Sequence, residues 1–346
     1  MSNERTEINQ LGEFGLIDHL TKNFEIKNAS TIDTIGDDAA VIDHFGKQTV
    51  VTTDMLVEGV HFDLMYTPLK HLGYKSVIVN LSDVYAMNAQ PTQITMSIAF
   101  SNRFSVEALE EFYEGVHIAC EKYGVDLIGG DTSTSQKGLI ISVTALGEVI
   151  EGNYVKRSTA EPGDLICVTG DLGAAFLGLT LMERERQIYL ENPSVQPTLE
   201  NESYIVGRLL KPEARKDIIE WLEQNDIKPT SMMDISDGLS SEILHICKKS
   251  ELGCRIYEEK IPLNEATKAA AFKFGLDPTV CALNGGEDYE LIFTMKQADY
   301  EKVTLQEEIS VIGYMCDKEE GSKMISKGGN IFDITAQGWN AFNKEK

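Results

Sequence analysis

Residues 150–169 read IEGNYVKRSTAEPGDLICVT, and this stretch decides how the chain is organised. An apolar, strand-like run ends at Val149 and the pattern breaks at Gly152. Pro162–Gly163–Asp164 then supplies the chemistry of a turn before a new apolar run, Leu165–Thr169. A chain of 346 residues exceeds an ordinary single domain. The restart therefore predicts two domains, 1–153 and 154–346.

Before the break, helical spacing places apolar residues at Leu11, Phe14, Leu16, Ile17, Leu20 and Phe24, giving a helix over 11–24. Strands are predicted at 39–42 and 49–53, followed by a long helix over 68–88 with Leu69, Leu72, Val77, Leu81, Val84 and Tyr85 on a wide apolar face. A strand over 92–100 follows, and Ser105 caps a second long helix. Strands at 125–128 and 139–149 end this half. After the break come a strand at 165–169, a helix over 173–184 and a polar surface excursion over 186–202 that carries Asn192–Pro193 and Pro197. Helices over 203–210, 212–225, 239–249 and 265–274 follow, with strands near 254–257 and 289–294, then shorter strands and a terminal helix. Neither half alternates strand and helix strictly, which predicts an α+β (mixed α/β) chain rather than one doubly wound sheet.

The formal charge is −24, which argues against nucleic acid or an anionic membrane surface as a partner. A small phosphorylated ligand stays compatible, provided that cations stand between it and the acidic protein. No run of about 18 apolar residues is present, and the amino terminus lacks a basic segment followed by an apolar one. The six cysteines are scattered with no C-x-x-C pair, as expected of reduced thiols in the cytoplasm.

Five short segments repeat one design, an aspartate beside glycine, serine or threonine at the end of an apolar run. They are Gly36–Asp37–Asp38, Thr52–Thr53–Asp54, Asn80–Leu81–Ser82–Asp83, Gly129–Gly130–Asp131–Thr132 and Asp234–Ile235–Ser236–Asp237–Gly238. Gly285–Gly286–Glu287–Asp288–Tyr289 repeats the design with glutamate. Alone, each reads as a turn or a helix cap. Asp83 is different, because a carboxylate inside an apolar helix is costly unless it meets a cation or a donor. Carboxylates and hydroxyls are the hard oxygen donors that magnesium prefers, and one ion takes only one or two protein carboxylates beside water and phosphate. Aspartates converging from several loops would therefore hold several magnesium ions around a polyphosphate. A non-catalytic binder of divalent cations and a metal-dependent phosphohydrolase stay open on the same residues. The chain lacks the twelve-residue calcium loop, the G-x-x-x-x-G-K-[ST] loop, the G-x-G-x-x-G fingerprint and the protein-kinase signatures.

Taken in order, seven blocks resemble the thiamine-monophosphate kinase family: GEFGLI at 12–17, GDDAAVI at 36–42, TTDMLVEGVHF at 52–62, GYKSVIVNLSDVYAMNAQP at 73–91, GGDTS at 129–133, DISDGL at 234–239 and GGEDYELIFT at 285–294. The resemblance extends to Gly338–Trp339. It implies an aminoimidazole ribonucleotide synthetase-like fold and a homodimer whose amino-terminal sheets pair across the two-fold axis. It also implies ATP-dependent phosphorylation of thiamine monophosphate to thiamine diphosphate, the last step in making that cofactor. By the same resemblance, 1–153 binds ATP and magnesium and forms the dimer, and 154–346 completes the active site. Asp38, Thr52, Thr53, Asp54, Asp83, Asp131, Asp234 and Asp237 match its magnesium positions. Gly130, Asp131, Arg157 and Ser236 match its ATP contacts, and His61, Glu287 and Trp339 its substrate contacts. The chemistry is expected to rest on Asp54, Asp83, Asp131 and Arg157. Beside these expectations stand plainer ones: a surface ion pair for Arg157, a structural histidine beside Phe62, and core packing for Trp339. A rival enzyme of the same fold would use ATP on another acceptor.

The residue types suit phosphoryl transfer on their own terms. A phosphate oxygen that is already ionised near neutral pH needs no general base, only alignment and relief of repulsion between two anions.

Overall fold

A computed structural model describes residues 31–33, 37–44, 46–101, 104–197, 199 and 201–337. The helix expected over 11–24, the terminal helix and Trp339 lie outside these residues.

The first half forms β1 (Thr31–Asp33), β2 (Ala40–His44), β3 (Lys47–Val57), α1 (Leu69–Ala86), β4 (Gln90–Phe100), α2 (Val106–Tyr123), β5 (Asp126–Thr134) and β6 (Ile140–Ile150). Its strands build one six-stranded sheet in the order β1-β2-β3-β6-β4-β5, antiparallel except for the parallel β4–β5 pair. The second half forms β7 (Leu165–Thr169), α3 (Ala174–Glu191), α4 (Ser203–Leu210), α5 (Lys216–Gln224), β8 (Ser231–Ile235), α6 (Leu239–Ser250), β9 (Leu252–Tyr257), α7 (Glu265–Phe274), α8 (Pro278–Asn284), β10 (Glu290–Met295), α9 (Tyr300–Val303), β11 (Ile309–Asp317), β12 (Ser322–Ile325) and β13 (Ile331–Asp333). These strands form a seven-stranded sheet in the order β13-β12-β9-β11-β7-β10-β8.

Helix α1 lies between the two sheets, which explains its apolar residues on nearly every side. Val77, Ile78, Leu81, Val84 and Tyr85 are fully buried, in one core with Ile94, Met96, Ile141 and Val143 of the first sheet and Met232, Leu291 and Phe293 of the second. Each such side chain stabilises the fold by roughly 1.5–3 kcal/mol. In the second sheet the intervening residues turn the other way. Ile166, Val168, Met233, Ile235 and Ile292 pack with Leu239, Ile243 and Ile246 of α6 in a separate core.

Helix α2 approaches α1 at backbone contact. A Cβ on Gly73 would stand 1.9 Å from the Phe112 carbonyl oxygen, and one on Gly115 would stand 1.9 Å from that of Lys70. Only glycine fits at this crossing. The opposite face of the first sheet carries exposed Thr53, Met55 and Ser97, and β5 is exposed along its whole length.

Two segments differ from expectation. Helix α3 continues to Glu191, into the segment read as a polar excursion, and stops where Asn192–Pro193 denies it a further backbone donor. Helix α8 was not expected, although its start carries recognisable chemistry. The Asp277 side chain accepts from the Thr279 and Val280 amides, with Pro278 in the first turn. Among the described residues no helix is long and apolar enough to cross a membrane.

Candidate active site

Strand alternation sorts the Thr52–Thr53–Asp54 segment. Thr52 and Asp54 face α1, and Thr53 faces the other side of the sheet, where its hydroxyl donates to the Val143 carbonyl at 3.0 Å. The Thr52 hydroxyl donates to Asp83 of α1 at 2.6 Å. Three residues earlier on that helix, the Asn80 side-chain oxygen accepts the Asp54 amide at 3.0 Å. From the second half, β8 delivers buried Asp234, which accepts from the Ser82 hydroxyl at 2.7 Å. Asp38, from the segment before β2, completes the group. Carboxylate oxygens of Asp38, Asp83 and Asp234 lie within 4.8 Å of one another.

Like charges this close resist ionising together. Burial, with the Asp234 and Glu287 carboxylates beside it, pushes Asp54 up to about 6. Burial and the Asp234 and Asp54 charges raise Asp83 well above the ordinary carboxylate range, against the opposing bond from Thr52. Asp234 is raised by burial and partly compensated by Ser82 and Arg157. Hard oxygens from four separate elements, crowded enough to hold protons at the expense of their charge, form a donor set that fits a divalent cation.

Arg157 stands at the edge of this group. Its guanidinium takes Asp38 in a two-point ion pair, with Nε 3.1 Å from Oδ2, and its amide donates to Asp37 at 2.8 Å. The arginine expected at phosphate is thus largely buried beside a carboxylate of the acidic cluster rather than in a surface ion pair.

A second group lies further along α1. The Gly285–Gly286–Glu287 loop packs directly on the Ser236 loop. A Cβ on Gly286 would stand 2.2 Å from the Ser236 carbonyl oxygen, which accepts the Glu287 amide at 2.7 Å. Glu287 pairs with Lys75 of α1. The Val57 amide donates to Nδ1 of His61 at 3.0 Å, and burial holds this imidazole below its usual value. With Nδ1 accepting an amide proton, the neutral ring carries its own proton on Nε2. The Asp237 amide, in the Ser236 loop, donates to buried Glu242 at 3.0 Å.

The chain thus brings together Asp38, Thr52, Asp54, Asp83, Asp234 and Arg157, with Ser236 and Asp237 on the adjoining loop and His61 and Glu287 alongside, nearer Lys75. It does not bring Thr53 or Asp131 into the group. The Thr53 side chain is on the wrong face. Asp131 is opposite Ser97 on β4, in the register row that runs through Ser142 to Met55. Three strand spacings of about 4.8 Å put β5 about 14 Å from β3. Gly130, the next residue, shares that separation. Asn80, Ser82 and Lys75 stand within the quoted segments but were given no role there, and they bond to this group; their signal was polarity inside an otherwise apolar helix.

Two family models match the chain: "AIR synthase related protein, N-terminal domain" over residues 36–149 and "AIR synthase related protein, C-terminal domain" over residues 161–325. The fold and the site together therefore define a member of the AIR synthase related class. The thiamine-monophosphate kinase of Aquifex aeolicus is 35% identical over 335 residues, covering 97% of this chain and 99% of that protein. That of Bacillus subtilis is 31% identical, covering 96% and 100%. A solved structure, AaThiL complexed with AMPPCP and TMP, superposes with a TM-score of 0.84 at 33% identity, covering 99% of this chain and all of that one. The chain belongs to the thiamine-monophosphate kinase family.

Proposed function

We propose that this chain transfers the γ-phosphoryl group of ATP directly to thiamine monophosphate, giving thiamine diphosphate and ADP. The observation that carries the reading is the convergence of Asp38, Asp54, Asp83 and Asp234, from both halves of the chain, at one end of α1. His61 and Glu287 gather about two turns back along the helix, beside Lys75, with Glu287 still near enough to raise Asp54. Lys75 and Asp83, eight residues apart, are separated by about 12 Å along the helix. That length suits an acceptor with its phosphate at the acidic end and its rings at the other.

Asp38, Asp54, Asp83 and Asp234 would hold magnesium, with Asp237 on the adjoining loop. When bound, the ions supply neutralisation of phosphate charge. An ionised phosphate oxygen of thiamine monophosphate forms the new bond to the γ-phosphorus. The bond from that phosphorus to the β–γ bridging oxygen breaks, and ADP leaves. No side chain takes a proton. Arg157 adds fixed positive charge beside the phosphates, and Ser236 lines the same side. Glu287 and His61 hold the thiamine end, with Trp339 assigned there by resemblance.

The protein is read as a homodimer acting in the cytoplasm. The open face of the first sheet, with Met55 57% exposed, supports the first point, and six unpaired cysteines support the second. Gly130 and Asp131 belong to β5, at the edge of that sheet. Their expected contacts with ATP and magnesium therefore depend on the assembled dimer rather than on the single chain. Residues 1–153 would carry most of the metal ligands, and 154–346 the remainder with the substrate loop. Incubation with ATP, magnesium and thiamine monophosphate should yield thiamine diphosphate. Phosphate release that ignores the acceptor would instead identify a phosphohydrolase, and light scattering that reports a monomer would remove the dimer.

A further inference from the structure

We propose that Lys75 is a positioning residue for the acceptor: it fixes Glu287, and so the thiamine end of the site, at a set distance from the aspartate cluster. The inference rests on reading Glu287 as a substrate contact.

Lys75 is 7% exposed, a burial at which an ammonium group keeps its charge only when it is paired. Both of its partners come from the second half of the chain. One is the Glu287 carboxylate, and the other is the Leu209 carbonyl, which accepts from Nζ at 3.0 Å. Leu209 is in the last turn of α4, where the helix dipole is negative and favours a cation. The bond to Leu209 therefore keeps the lysine anchored even while Glu287 turns toward a ligand.

Among the described residues, Glu287 has little other control over its direction. Its backbone is held at φ 71°, a conformation that a non-glycine residue adopts only where its surroundings impose it, and the amide bond to Ser236 fixes the main chain. Beyond the main chain, the contact from the Tyr289 hydroxyl is 3.4 Å, too long to fix the carboxylate. Lys75 supplies the strong partner. Because Lys75 and Asp83 belong to one rigid helix, the metal end and the acceptor end are set by the same element.

Steady-state kinetics of the full chain separate this role from core filling. Lys75→Met keeps the length and removes the charge. It should raise KM for thiamine monophosphate about tenfold or more, with kcat and KM for ATP changed by less than about threefold. Lys75→Arg should restore most of the loss and shows that the position still folds. Glu287→Gln should act on the same constant, and the double variant should be no worse than Glu287→Gln alone, as coupled residues require. An unchanged KM for thiamine monophosphate in Lys75→Met, or effects that multiply in the double variant, would overturn the proposal. If the unaltered chain makes no thiamine diphosphate, the reading of Glu287 falls and this proposal with it. Failure of the Lys75 prediction alone leaves that reading standing.

Discussion

Ser82 donates its hydroxyl to Asp234 at 2.7 Å, and this single bond joins helix α1 of the first half to strand β8 of the second at the centre of the acidic cluster. The partners are 152 residues apart in the chain, so the site exists only when both halves are folded together. Ser82→Ala should cost about 1 kcal/mol of stability, the usual worth of one buried hydrogen bond. It should also raise the magnesium concentration for half-maximal activity several-fold, because an orienting partner of a ligand is lost. Thermal unfolding and a magnesium titration check the two effects separately.

Removing a cluster carboxylate has opposite consequences for activity and for stability. Asp83→Asn and Asp54→Ala should each lower kcat/KM by about 100-fold or more, as expected when charge stabilisation at the reacting phosphate is lost. Without metal, the melting temperature should stay level or rise, since one of several mutually repelling buried charges is gone. Near-normal turnover at limiting magnesium in either variant would remove that residue from the ligand set.

The pH dependence of the metal-free protein follows from the same crowding. Asp54 is raised from an ordinary 3.8 to about 6, and Asp83 and Asp234 move in the same direction. The folded state therefore binds protons more tightly than the unfolded chain. The stabilisation from these protons is complete below the unfolded values and is lost as pH rises through the folded ones. The unfolding midpoint should fall between about pH 5 and pH 7, and magnesium should restore more of it at the higher pH. A midpoint that rises across this window would contradict the assignment.

The neighbouring threonines give an internal control. Thr52 contacts Asp83, and Thr53 contacts the opposite face of the sheet. Thr52→Val should weaken magnesium dependence several-fold, and Thr53→Val should leave the magnesium titration of the cluster unchanged. Equal effects from both would place Thr53 in the site.

Much of the site was readable in particular residues. Asp83 was recognisable as a carboxylate that an apolar helix does not tolerate unpaired, and it accepts from Thr52 within the cluster of Asp38, Asp83 and Asp234. The Gly285–Gly286 pair was readable as a turn, and the Ser236 carbonyl against Gly286 shows why no side chain fits there. What a motif leaves open is face and distance. Thr53 and Asp131 fit a motif by type and spacing, yet a motif does not state which side of a strand a residue takes or which strands separate it from its supposed partners. Lys75 went unnoticed because a helical lysine ordinarily reaches solvent. Its burial arises from packing of the helix against the second half of the chain, as the bonds to Leu209, 134 residues away, and to Glu287 record. The end of α3 was misplaced for a local reason, since Gln187, Leu190 and Glu191 after Arg186 are good helix formers and the stop comes only at Pro193.

The most direct test of the account follows the label of ATP carrying a marked γ-phosphate through a single reaction with thiamine monophosphate and magnesium. The account predicts that the label appears in thiamine diphosphate, in step with ADP, and that Asp83→Asn abolishes its transfer. Label recovered as free phosphate, or transfer undiminished in Asp83→Asn, would contradict it.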